Sequence, residues 1–193
     1  MSMFRIVLVA CFIVGSALLV SAQVQSGLQP GDKTPGFEVI VATGPDAADA
    51  KKRNYLKEKL KDKPVLLIFV HRVSRPGFRL LKVLDRYGEH RKGDGLAVMV
   101  VRLSNDMREA VRYSKLMETN YGIKAVGTVS ADGAKGPPSH GLNDRAEMTV
   151  LLLDKDHKVV HNTARADPQE KDFEPIRAAI DKLLGQPAQP FEP

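Results

Sequence analysis

Residues 64–77 read Pro-Val-Leu-Leu-Ile-Phe-Val-His-Arg-Val-Ser-Arg-Pro-Gly, and the rest of the chain arranges itself around them. Pro64 to Val70 is a continuous apolar run rich in branched side chains. A strand exposed on one side would alternate apolar and polar residues, so this run predicts a strand buried on both faces. A short polar stretch then leads to Ser74-Arg75-Pro76. Serine is a good N-cap, and proline suits the first helical turn because its missing N–H has no partner there in any case. Leu80, Val83, Leu84 and Tyr87 recur at helical spacing, with Gly93 just past the end. A buried strand feeding directly into a helix is one half of a parallel β-α-β unit.

The same reading extends outward. Leu96 to Leu103 is a second strand, apolar apart from Arg102. Met107 to Tyr121 is a helix with Ala110, Leu116, Met117 and Tyr121 apolar and Gly122 near its stop. Residues 124–144 read as a long loop with four glycines and the Pro137-Pro138 pair, and loops of this length are usually functional or mobile. Thr149 to Leu153 is a third apolar strand, turning through Asp154 to His157 into Lys158 to Asn162 as a hairpin. In the last helix Asp167 is the cap, Pro168 takes the first position and Glu170 lies three residues after the cap. Phe173, Ile176, Ile180, Leu183 and Leu184 trace its apolar face, Pro175 kinks or restarts it, and Gly185 ends it. Toward the N-terminus, Phe37 to Ala42 is a short strand and Lys51 to Lys61 a charged helix. Strand and helix alternation followed by a hairpin and a final helix implies an α/β domain, a central mixed β-sheet with helices on both faces.

The N-terminus reads as a signal segment, residues 1–22. Arg5 supplies a positive start, Ile6 to Val20 an apolar stretch, and Val20-Ser21-Ala22 a small-residue cleavage pattern. The stretch has 15 residues where a membrane span needs about 20. Leu8-Val9-Ala10-Cys11 resembles a lipoprotein box but sits too early in the apolar stretch. Cleavage makes the protein exported, periplasmic or extracellular. It leaves 171 residues, a formal net charge of +5 instead of +6, and no cysteine, since Cys11 is the only one in the chain. Residues 23–36 are then a polar leader, 37–185 the domain and 186–193 a disordered tail. The basic balance attracts anionic partners weakly, charges of both signs are mixed along the chain, and no motif supports nucleic-acid binding. Membrane contact is expected only through an uncleaved signal segment.

Three stretches make the chain resemble the thioredoxin-like superfamily, most closely its exported redoxin and peroxiredoxin-type branch. Gly31-Asp32-Lys33-Thr34-Pro35-Gly36-Phe37 is similar to the opening Gly-Asp-x-x-Pro-x-Phe of that branch. Pro64 to Val70 is similar to the strand that leads into its active site, and Thr149 to Asp154 to the hairpin after its cis-proline. The likeness spans roughly residues 28–184. It implies a Cys-x-x-Cys or a peroxidatic cysteine at the start of the helix, whose N-terminus acidifies the thiol. The matching residues are Ser74, Arg75, Pro76 and Gly77, so both cysteine positions are lost. At the cis-proline position stands Met148.

What remains at the site is read as follows. Ser74 as a nucleophile with His71 as base lacks a visible carboxylate to orient the base, and its N-cap role accounts for it. His71, Arg75 and Arg79 form a possible ligand or anion site at the helix start, with a solvated basic face as the plain alternative. Met148 facing His71 would suit Cu(I), but the copper-handling relatives use two cysteines that are absent, and Met148 filling apolar space is the simpler role. His157 and His161 fall on a turn and strand, and His90 and His140 stand alone, so no metal and no cofactor are assigned. The expectation is an exported, non-catalytic redoxin-like binding or accessory module. Its partner is an unidentified protein or anionic ligand of the cell envelope, held on the old active-site face or the 124–144 loop. The alternatives are a peroxiredoxin or thiol-disulfide oxidoreductase-type enzyme, a copper-handling relative, or a hydrolase built on Ser74.

Overall fold

A computed structural model describes residues 24–47 and 51–192. The signal segment and Cys11 lie outside the described residues. Seven strands form one sheet: β1 (Val39–Val41), β2 (Lys52–Arg53), β3 (Val65–Val70), β4 (Ala97–Arg102), β5 (Val126–Ser130), β6 (Met148–Leu153) and β7 (Val159–Arg165). Their order across the sheet is β2-β1-β5-β4-β3-β6-β7. β3 is the hinge of this arrangement. It pairs parallel with β4 and antiparallel with β6, and all six of its residues are buried. Full burial of a side chain such as Leu, Ile or Phe stabilises by about 1.5–3 kcal/mol, which is why so apolar a run takes the centre.

The helices are α1 (Tyr55–Lys59), α2 (Arg75–His90), α3 (Met107–Tyr121) and α4 (Phe173–Leu184). Leu66, Ile68 and Val70 point to the side where Leu80, Leu84 and Tyr87 of α2 and Phe173, Ile176 and Ile180 of α4 pack. Val65, Leu67 and Phe69 point to the other, against Tyr55, Leu56 and Leu60 of α1 and Phe37. β3-α2-β4 and β4-α3-β5 are successive parallel crossovers that step in one direction along the sheet. Right-handed crossovers of that kind place α2 and α3 on the same face, and the rings of Phe78 and Tyr121 touch at 4.8 Å between centroids. α2 can come close to β4 because Gly88 has no side chain: a Cβ there would lie 2.1 Å from Val98 Cγ2.

Several expectations are corrected. The 124–144 segment is not a loop throughout. It contains β5, whose Val-Gly-Thr-Val-Ser run is too mixed to look like a strand yet pairs on both sides, with β4 and β1. The charged helix is short, because Lys52 and Arg53 pair with β1 and Asn54 caps α1 through Lys57 N–H. Gln169 caps a 3-10 turn at Glu170–Asp172, with Asp172 accepting from Gln169 N–H in return, so Asp167 is not the cap. Pro175 sits in the first turn of α4, which starts at Phe173 directly after that 3-10 turn, and there its missing N–H costs nothing. The leader packs onto the hairpin, with Gly31 N–H donating to Val159 and Val159 N–H to Asp32. The tail is packed too: Phe191 meets Tyr87 at 4.8 Å and His90 bonds the Gln189 carbonyl at 3.0 Å.

The end of α2 is fixed by Arg91, fully buried. Its guanidinium donates to Asp181 of α4, to Tyr87 at 3.1 Å, to Asp94 at 2.6 Å and to the Gly185 carbonyl at 2.7 Å. A buried cation stripped of its main carboxylate is strongly destabilising. Asp181→Ala is therefore expected to lower unfolding stability by about 3 kcal/mol, read as the urea midpoint. A loss under about 1 kcal/mol would show the network to be dispensable.

Candidate functional site

The site lies where β3 ends and α2 begins. Ser74 is the N-cap of α2, with φ −92° and ψ 166°, and its Oγ accepts the Gly77 N–H at 3.0 Å. The same hydroxyl donates to Glu147 Oε1 at 2.6 Å, and the Ser74 N–H donates to that oxygen at 2.9 Å. Glu147 directly precedes β6 and is only 6% exposed. Its backbone is tied on both sides, its carbonyl accepting from His71 N–H at 2.9 Å and its N–H donating to Arg165 at 2.8 Å. The carboxylate thus lies over the first turn of α2, where unpaired N–H groups and the helix dipole favour negative charge.

This carboxylate occupies the space of a side chain at position 77. A Cβ on Gly77 would fall 2.2 Å from Glu147 Oε1 and 3.0 Å from Pro168 Cγ. The sequence shows no carboxylate to orient His71 as a base for Ser74; the structure instead puts a carboxylate, Glu147, on Ser74 itself, 73 residues away. The one signal that could have pointed to it is an acidic residue set immediately before an apolar strand, where burial is hard to avoid. Glu147, and not Met148, reaches the turn. Met148 is the first residue of β6, paired opposite Val70 and 3% exposed in the core beside Leu66 and Ile68. All peptide bonds of the described residues are trans.

His71 does not bond Ser74. Its Nε2 is buried and has no hydrogen-bond partner, and burial holds its pKa below the ordinary value, against an opposing pull from Asp144. The imidazole lines an open cleft of about 760 Å³ with Gln25 and Gln29 of the leader and Lys135 and Asp144 of the 131–147 segment. The Gln25, Lys135 and Asp144 side chains form no hydrogen bond or ion pair among the described residues. Arg75 and Arg79 are exposed on the outer side of α2, apart from this cleft. An anion at the α2 N-terminus would find the Ser74 and Gly77 N–H groups already taken. No group of three or more His, Cys, Asp or Glu that could hold a metal occurs among the described residues.

The segment walling the cleft is pinned by His140, fully buried between Phe37 and Phe69 at 4.8 and 5.5 Å. Burial pushes its pKa down to about 4 from an ordinary 6.5. The unfolded chain therefore takes up this proton first, so the contribution is complete above about pH 6.5 and is lost as pH falls toward 4. Between pH 7 and pH 4.5 the native chain should lose about 2 kcal/mol more than His140→Leu, by urea unfolding at each pH. Equal losses would show that His140 does not titrate this way. For the turn, a double-mutant cycle of Ser74→Ala and Glu147→Gln should give a coupling of about 2 kcal/mol, and additive losses would mean that the pair is not bonded.

No protein-family model and no curated protein matches the chain. Solved structures do. A Chlorobium tepidum structure assigned as the thiol:disulfide interchange protein DsbE is 22% identical, with a TM-score of 0.57 over 82% of this chain and 99% of that one. An uncharacterized conserved protein from Geobacillus kaustophilus is 15% identical, with a TM-score of 0.65 over 87% and 90%. The thiol peroxidase from Chromobacterium violaceum is 15% identical, with a TM-score of 0.54 over 83% and 90%. The fold is thioredoxin-like, α/β with a mixed seven-stranded sheet, shared with DsbE- and peroxiredoxin-type proteins, and with Cys11 as its one cysteine the chain has no active-site pair.

Proposed function

We propose that this chain is an exported, non-catalytic redoxin-like module that binds a partner beside the former active-site turn. The observation that carries the reading is the Glu147 carboxylate on Ser74, in the volume that a side chain at position 77 would need. Thiol chemistry in this fold requires a thiolate at the start of α2. Here that start carries a hydroxyl which caps the helix and a carboxylate which covers it. Substituting one residue would not recover the chemistry.

The binding surface of this reading is the cleft beside His71. Its Gln25, Lys135 and Asp144 side chains, which form no hydrogen bond or ion pair among the described residues, offer donors and acceptors of both charges, suited to a polar segment of a protein or to a small anionic ligand seated against Lys135. Arg75 and Arg79 remain an outlying anion-attracting pair. Export rests on Arg5, the apolar Ile6 to Val20 stretch and Val20-Ser21-Ala22. The rival reading, an antioxidant or thiol-disulfide oxidoreductase, draws on fold alone, and fold does not fix function.

The full chain is expected to consume peroxide with a thiol donor, and to reduce a protein disulfide, at no more than background rates. Activity that persists after contaminating enzymes are removed would overturn the reading. The plug itself is tested by thiol titration after mild oxidation. Ser74→Cys with Gly77→Cys should bridge within one molecule more readily once Glu147→Ala is added, because the carboxylate no longer competes for the space. Equal bridging with and without Glu147 would show that it does not block the site.

A further inference from the structure

α2 and α3 lie side by side on one face of the sheet, and each turns a row of cations outward. On α2 the row is Arg75, Arg79, Lys82 and Arg86, and on α3 it is Arg108, Arg112 and Lys115, all exposed. The spacings are four, three and four residues on α2 and four and three on α3, the period that keeps side chains on one side of a helix. No carboxylate neutralises them: none of the seven forms an ion pair among the described residues, and the single side-chain bond in either row is Arg86 to the Glu192 carbonyl at 3.2 Å. The acids on these helices are placed otherwise. Asp85 is buried and accepts from Lys124 and Ala125 N–H, Glu89 pairs with Lys92, and Glu118 accepts from Gly44 N–H. Glu109 and Glu118 are both exposed, and neither forms an ion pair among the described residues. Leu116, 40% exposed, lies four residues from Arg112 beside the α3 row, while Val73 before α2 and Tyr121 at the end of α3 are 37% and 52% exposed.

We propose that this face docks on an anionic phospholipid surface. Two adjacent helices present a broad face of like charge, and a lipid bilayer offers a broad field of opposite charge. Each Lys or Arg near such a surface adds attraction that falls off within a Debye length. The exposed Leu116 beside the α3 cations suits the boundary between headgroups and acyl chains. A nucleic acid would call for an element entering a groove or for aromatic stacking, and neither cation row supplies one. The inference is independent of the His71 cleft and of the lost thiol chemistry. It adds to the sequence expectation, which allowed membrane contact only through residues 1–22.

The test is vesicle co-sedimentation of the full chain. One vesicle type contains about one third phosphatidylglycerol in phosphatidylcholine and the other phosphatidylcholine alone; the neutral vesicles register any binding through the apolar residues 6–20. The chain should prefer the anionic vesicles at least about tenfold, and the preference should collapse as salt rises from about 0.05 M to about 0.5 M. Arg79→Glu, Lys82→Glu and Arg112→Glu together should abolish it. Lys61→Glu, Lys63→Glu and Lys155→Glu together, on exposed sites away from these helices, change the net charge equally and should reduce it less than about threefold. Circular dichroism confirms that both triple variants are folded. No preference for anionic vesicles would overturn the proposal, as would equal losses in the two triples, which would reduce it to net charge. Heparin or oligonucleotide binding at salt where the vesicles are ignored would also overturn it, in favour of a soluble polyanion.

Discussion

One oxygen, Glu147 Oε1, accepts both the N–H and the O–H of Ser74 at the start of α2. A helix N-terminus buried against other elements must have its free N–H groups met by something. Ser74 Oγ meets Gly77 N–H, and the carboxylate meets Ser74 itself. Because the Glu147 backbone also bonds His71 and Arg165, the same residue joins the ends of β3, β6 and β7 to the start of α2. Position 77 can then hardly be anything but glycine, since a Cβ would collide with that oxygen. The hydroxyl at position 74, the glycine at position 77 and the carboxylate at position 147 form one packed unit.

The remainder of the fold does not need thiol chemistry to persist. β3 is buried on both faces by residues that belong to two separate apolar clusters, and the far end of α2 is locked to α4 by Arg91 and Asp181. Tyr87 takes part in that lock and also supports Phe191 and Phe173. Stability is therefore held mainly in the sheet, its two clusters and the α2-α4 end. The turn at Ser74 is set apart from these, by the bonds of Ser74 to Gly77 and to Glu147.

Much of this was legible in the chain. β3, the start of α2 at Ser74, and α3 with its Gly122 stop could be placed because long apolar periodicity and capping chemistry are local signals. β5 was hidden, since Gly127, Thr128 and Ser130 become strand residues only through pairing with β1 and β4. α4 was expected to start at Asp167, but Arg165 draws the Asp172 carboxylate at 2.8 Å and the turn forms around that residue instead. The packed tail was unreadable because Pro-rich sequence says nothing of a ring such as Phe191 finding Tyr87 and Phe173. At the site, Ser74 as an N-cap was legible from its neighbours. Glu147 was not, because a contact spanning 73 residues leaves no local trace.

The positive potential at the start of a helix in this fold is indifferent to what answers it. In a thioredoxin-like redox protein it stabilises a thiolate; in this chain it faces a fixed carboxylate on a neighbouring strand end. The two uses exclude one another, since an anionic sulfur and Glu147 would compete for the same donors and repel each other within hydrogen-bond distance. A cysteine introduced at position 74 alone would thus sit beside a carboxylate that disfavours its ionised form, and would be a poor nucleophile despite the helix behind it. Introducing thiol chemistry here requires removing the Glu147 carboxylate as well as adding sulfur, at the cost of the two bonds its Oε1 makes to Ser74, while the backbone bonds of Glu147 to His71 and Arg165 do not depend on its side chain. A thiolate at position 74 and a carboxylate at position 147 are therefore alternatives at this helix start.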